Sequence, residues 1–213
     1  MSAARVERTE RPARRRRSDG ERSRSAILRE AAQLATVEGI GGLSIARLAD
    51  AVGMSKSGLF AHFGSKEELQ LATIEAANVL FNEHVVEPAS AADTGLGRLR
   101  GLAEGFLRHL ENDVFAGGCF FASVAAEMDT HPGPVRDMAV EVVEEWLQGL
   151  EQAIGDAQSD GEIDRDEDPL QLAFELNAFL LLANAQFVIS RQSLSVERAR
   201  RAVEGRLAAA LSS

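Results

Sequence analysis

Tyrosine is absent from this 213-residue chain, cysteine occurs once, at Cys119, and lysine occurs twice, at Lys56 and Lys66. A lone cysteine excludes a disulfide framework and a cysteine-ligated zinc site, both of which need several thiols. With 5 prolines and 18 glycines the chain is neither collagen-like nor broadly disordered. No apolar run follows the arginine-rich N-terminus, so it does not read as a secretory signal. The most apolar stretch, Leu170 to Ile189, is interrupted by Gln171, Glu175, Asn177, Asn184 and Gln186. It reads as a buried helix and not as a membrane span. These absences point to a cytoplasmic protein with no membrane partner. What is present is ordinary for a globular fold: 45% hydrophobic and 26% charged residues, enough for one large domain or two small ones.

The net charge of −10 hides an asymmetry. Residues 1–66 carry 13 Lys+Arg against 7 Asp+Glu, a net of +6, whereas residues 67–213 carry 10 against 26, a net of −16. A basic third joined to an acidic two-thirds suits a nucleic-acid partner at one end and repels it from the other. A solvated arginine tail with no partner is the alternative reading of the same charge. Residues 1–20, with Arg5, Arg8, Arg11 and the run Arg14 to Arg17, have almost nothing apolar and are expected to form a disordered basic arm.

From Ser23 a helical period begins, with Ile27, Ala31, Leu34 and Ala35 on one face, and Gly39 is its expected left-handed stop. Ser44 caps a short helix, Ile45 to Val52; Gly53 turns the chain; Ser55 caps another, to about Phe63. Ser65-Lys66-Glu67-Glu68 reads as a capping box opening a fourth helix, to about Val86. Further helices are expected near 96–110, 120–128, from Pro134 past Leu150, from Asp168-Pro169, and from Ser195. No segment alternates with period two. The fold class is all-α with about nine helices, divided into 1–20, 21–81 and 82–213.

Two short helices joined by a tight turn, 44–63, form a helix-turn-helix pattern, with Ala49 allowing close approach and Leu48, Val52, Met54 and Leu59 as a small core. The string Ser44-Ile-Ala-Arg-Leu-Ala-Asp-Ala-Val-Gly-Met-Ser-Lys-Ser-Gly-Leu-Phe-Ala-His-Phe63, then Gly64-Ser-Lys-Glu-Glu-Leu69, closely resembles the tetracycline-repressor family, and so does the preceding Ile27-Leu28-x-x-Ala31-Ala32 helix. The resemblance covers about residues 23–70. It implies a homodimeric, ligand-responsive transcriptional regulator, usually a repressor. An N-terminal three-helix domain would bind a palindromic double-stranded DNA operator, and a C-terminal helical domain would bind a small-molecule effector and dimerise.

Chemistry agrees at particular residues. Lys56 opens the second short helix, where an ammonium can meet a phosphate or a guanine edge, and Lys66 sits at a helix N-terminus suited to phosphate. Ser44, Ser55 and Ser57 are short hydroxyls suited to capping and to phosphate contact alike. Arg47 is expected to point out of the first short helix toward DNA, and His62 matches a family position near the backbone. The family usually has tyrosine where this chain has Phe60; a phenol donates to phosphate, whereas Phe60 can only pack or touch a thymine methyl or a sugar.

In the acidic part, Phe106, Phe121, Trp146 and Asn177 are the effector-pocket candidates, against the plainer reading of large residues as core. Phe179, Ala183, Phe187, Val203 and Leu207, on two apolar helices near the C-terminus, are the candidate dimer interface, in a helix expected to be buried all round. Cys119, with His109 and His131 near it in sequence, leaves open a thiol-gated repressor or an inert buried thiol. His84 with Glu83 and Glu87 reads as surface charge. No catalytic constellation, metal site or cofactor is expected, which leaves a helical enzyme or scaffold as the remote alternative.

Overall fold

A computed structural model describes residues 12–128, 130 and 132–212, with only the backbone described for 12–19. Nine helices follow one another among the described residues: α1 (Pro12–Glu38), α2 (Ile45–Val52), α3 (Lys56–Phe63), α4 (Lys66–Phe81), α5 (Gly95–Glu111), α6 (Phe120–Met128), α7 (Pro134–Ser159), α8 (Pro169–Ser190) and α9 (Leu194–Ala210). Helix α4 runs on through a π-helical turn, Asn82–Val86, and a last turn, Glu87–Ala89. The all-α class is as the sequence implied; a single bridge, Ile163 to Leu211, is the only β pairing among the described residues.

The local signals act where they were read. Ser44 accepts from the Arg47 amide, Ser55 from Gly58, Ser65 from Glu68, and Asp168 from Leu170 and Gln171. Gly39 and Gly53 take φ of +82° and +66°, the left-handed conformation that ends a helix cheaply only at glycine. The box at Ser65 is half made, because the Ser65 amide donates to the Phe63 carbonyl and not to a side chain.

Helix α1 begins within the 1–20 segment expected as a basic arm. Residues 1–11 lie outside the described residues, but 12–20 continue α1. Pro12 suits a first helical turn and arginine is a good helix former. Once the apolar face at Ile27, Leu28 and Ala31 has nucleated the helix, each further turn adds hydrogen bonds without a second nucleation cost.

Two cores share α4. Leu69 and Ala72 close a small one with Ile27, Leu28, Ala31, Leu43, Leu48, Ala49, Leu59 and Phe63. One turn on, Ile74, Ala77 and Phe81 enter the larger core made by α5 to α9. Gly117, in the loop before α6, sits against α1 so closely that a Cβ would lie 1.9 Å from the Thr36 carbonyl oxygen. Around it Gln33 donates to Val114 O at 2.7 Å and accepts from the Ala116 amide at 2.8 Å, and the Gly117 amide donates to Thr36 Oγ1 at 3.1 Å.

Helix α8 meets its own core on one side only. Leu172, Leu176, Leu180, Ala183 and Phe187 fill the core, while Phe174, Leu182 and Ile189 are 67%, 57% and 86% exposed. It is long and apolar enough to cross a membrane by composition alone, yet one face is core and Glu175 on it pairs with Arg206 of α9.

Candidate nucleic-acid interface and apolar cavity

Capping by Ser55 fixes where α3 begins and turns Lys56, Ser57 and Phe60 outward, the last 55% exposed, while Leu59 and Phe63 enter the small core. Ser55 and Ser57 share a hydroxyl contact of 3.3 Å. His62 is half-buried against Phe63. Lys56 forms no ion pair among the described residues. A free ammonium, two hydroxyls and an apolar ring on one exposed helical face have the shape and chemistry of a major-groove reader.

The other two cations are engaged. Arg47, expected to project toward DNA, donates from Nε to both carboxylate oxygens of Glu38 at 3.0 and 2.9 Å. The bond to Arg47 holds the Glu38 carboxyl below its ordinary range. Lys66 donates from Nζ to the Gly41 carbonyl at 2.5 Å. Neither partner was legible in the sequence, because both contacts reach across turns whose path depends on tertiary packing.

The turn 39–42 between α1 and α2 is held from several sides. Its Ile40 and Gly41 amides donate to the two carboxylate oxygens of Glu127, at the end of α6, each at 2.7 Å. Gln70 donates to the Ile40 carbonyl at 2.6 Å. Sequence reasoning missed Glu127 and Gln70; each is one polar residue on a helix, with no spacing to mark it.

Behind this lies a cavity of about 300 Å³ whose walls include all four pocket candidates, Phe106, Phe121, Trp146 and Asn177. The missed members are Phe81, Cys119, Ala122, Ala125, Ala126, Val142, Val143 and Leu181. Phe81 stands edge-on to three of its rings, with centroids 5.3 Å from Trp146, 5.9 Å from Phe121 and 6.3 Å from Phe106. Trp146 donates its indole N–H to Asn177 Oδ1 at 3.0 Å. Among the described residues no charged side chain lines the cavity. Cys119 is fully buried there, and burial pushes its thiol up, so it stays protonated and weakly nucleophilic.

Of the dimer candidates, Ala183, Phe187, Val203 and Leu207 are buried in their own chain, and Phe179 is half-buried beside the exposed Leu182. An all-round apolar helix gives no periodic clue to which side meets its own core. The face left open carries Phe174, Leu181, Leu182 and Ile189.

His109 of α5 is 2% exposed, set among Phe81, His84 and Phe115, and neither ring nitrogen has a hydrogen-bond partner among the described residues. Burial, and after it the charge of His84, pushes its pKa down to about 4.

Comparison with known proteins accords with this geometry. A family model described as "Tetracyclin repressor-like, C-terminal domain" matches residues 95–203, and one described as "Bacterial regulatory proteins, tetR family" matches 27–73. The chain belongs to the tetracycline-repressor family. It is therefore a DNA-binding transcriptional regulator and not an enzyme. Transcriptional regulator AcuR of Cereibacter sphaeroides is 27% identical over 160 residues, 73% of this chain and 71% of that protein. A family regulator from Chloroflexus aurantiacus superposes with a TM-score of 0.84 at 24% identity, over 91% of this chain and 98% of its own. AibR, solved with isovaleryl coenzyme A and operator DNA, gives 0.69 at 26% identity, over 88% and 97%.

His109 makes a prediction about pH. Its ordinary value is 6.5, so between 6.5 and about 4 the unfolded chain binds a proton that the folded chain refuses. The stability so contributed is complete above pH 6.5 and lost as pH falls toward 4. Urea melts across that window are expected to lose up to about 3 kcal/mol, and His109→Phe to flatten the slope. An equally steep slope in the variant would remove His109 as its cause.

Proposed function

We propose that this regulator is a homodimeric, ligand-responsive repressor of the cytoplasm, which binds a palindromic operator through α3 and leaves it when an uncharged, largely apolar effector fills the cavity. The observation that carries the reading is the position of that cavity. Phe81 of α4 and Phe121 of α6 line it, and both helices also touch the turn that leads into α2. The solved AibR complex, with an acyl coenzyme A and operator DNA together, supports a protein of this fold having both partners. DNA contact is assigned to Ser44, Ser55, Lys56, Ser57, Phe60 and His62, with Arg47 and Lys66 joining if they exchange their present partners for phosphate. The division 21–81 and 82–213 is drawn at the π-turn that starts at Asn82, after α4 has already passed from the small core, at Ala72, into the larger one, at Ile74.

The described lining favours one effector class. A carboxylate or ammonium would lose its hydration with no opposite charge to meet, a penalty far larger than one amide can offset. Four aromatic rings favour a flat apolar body, and Asn177, its oxygen already taken by Trp146, offers Nδ2 as a donor to one carbonyl or ether oxygen. The protonated, buried Cys119 weighs against thiol gating. A twofold pairing through the exposed face of α8 gives the symmetry that a palindrome needs.

Three outcomes test this. Lys56→Ala is expected to lower affinity for a duplex selected from a random pool by about tenfold in fluorescence anisotropy at fixed salt; unchanged affinity removes α3 from the interface. Phe174→Glu and Leu182→Glu, both on exposed side chains, should give helical monomers in sedimentation, and dimers in both cases would place the interface elsewhere. N-phenyl-1-naphthylamine, uncharged and fluorescent, should bind and change Trp146 emission, whereas 1-naphthoate should not. Ala125→Phe should abolish that binding; a variant that still binds would place the site outside the cavity.

A further inference from the structure

We propose that Glu127 is a positioning residue for DNA binding, a latch that ties the cavity wall to the reading head by holding the amides of the turn before α2. The turn 39–42 leaves two N–H groups in sequence, at Ile40 and Gly41, with no helical partner. A single carboxylate takes both, Oε2 from Ile40 and Oε1 from Gly41, at 2.7 Å each. Such paired, charge-assisted bonds fix direction as well as distance. The fit leaves no room: a Cβ at Gly41 would lie 2.6 Å from Glu127 Oε1 and one at Gly39 2.8 Å from Oε2.

What lies on each side of the latch gives it consequence. Two residues after the turn, Ser44 caps α2, and the Gly41 carbonyl holds Lys66, a cation of the candidate DNA surface. On the other side α6 is short and fixed at its start, where the Cys119 amide donates to the buried Asn184 of α8 at 2.8 Å. Between its two ends α6 lines the cavity with Phe121, Ala122, Ala125 and Ala126. A stiff bar held at one end by the apolar helix α8, and gripping the reading head at the other, transmits a displacement of its middle. The transmission of cavity occupancy rests on the effector reading above. The positioning role rests only on DNA binding, and no ligand enters its test, so the two can fail separately.

The test uses the full-length protein and the duplex selected by the wild type. Glu127→Ala is expected to speed hydrogen exchange at the Ile40 and Gly41 amides by at least about tenfold and to lower duplex affinity by about tenfold, with helical content unchanged. Glu127→Gln, which keeps one acceptor oxygen, should fall between and serves if the alanine variant fails to fold. Gly41→Ala, whose methyl would displace the carboxylate, should match Glu127→Ala, and the double variant should be no weaker than either single one, because both remove the same contact. Additive losses in that cycle, wild-type exchange at the two amides, or wild-type affinity in Glu127→Gln and Gly41→Ala would overturn the proposal.

Discussion

Backbone groups in a turn between two helices must find partners, and in this molecule those of the turn 39–42 find them on α4 and α6. Glu127 accepts both amides, while Gln70 and Lys66 donate to the two carbonyls. Four polar groups that would each be costly to bury unpaired are thereby satisfied by side chains from α4 and α6. The helix-turn-helix unit has only a small core, so its orientation depends on these bonds and on the Gln33 and Thr36 contacts to the loop before α6. Removing them would leave α1 to α3 held by packing alone, through α4 and through Ala32, Ala35 and Ile40 in the larger core.

Helix α4 carries the second dependence, since its successive turns serve different cores. Leu69 and Ala72 belong to the reading head and Ile74, Ala77 and Phe81 to the cavity domain. A rotation of α4 that suits one core therefore disturbs the other, because packed cores tolerate little continuous deformation. Phe81 makes this specific: it lines the cavity, stands against Trp146, Phe106 and Phe121, and is the last residue before the π-turn. A ligand that shifts the Phe81 ring acts on the helix whose first residue, Lys66, touches the turn before α2.

Charge follows the same division of labour. On the acidic side several arginines are spent internally: Arg200 pairs with Glu104 and Glu111, and Arg206 with Glu167 and Glu175. Bonds to Arg200 and Arg108 hold the Glu104 carboxyl low against its partial burial. In the reading head Lys56 is left unpaired on an exposed helix, which is where a phosphate or base edge would be met.

The sequence by itself determined most of the helix ends, though not the start of α1 at Pro12, because capping serines, left-handed glycines and a 3.6-residue apolar period act within a few residues of each other. It also determined the reading head, since the 44–69 string is local and dense in such signals. The aromatic and amide residues placed in the pocket were legible because an asparagine on an apolar stripe needs a partner, which Trp146 supplies. Tertiary structure alone decided which face of α8 is core, since a helix apolar on every side carries no phase. It alone showed Arg47 tied to Glu38, and found Glu127, a single carboxylate whose meaning comes from two amides 86 and 87 residues away. Local chemistry is written in neighbouring residues, whereas a contact between distant segments exists only once the chain has brought them together.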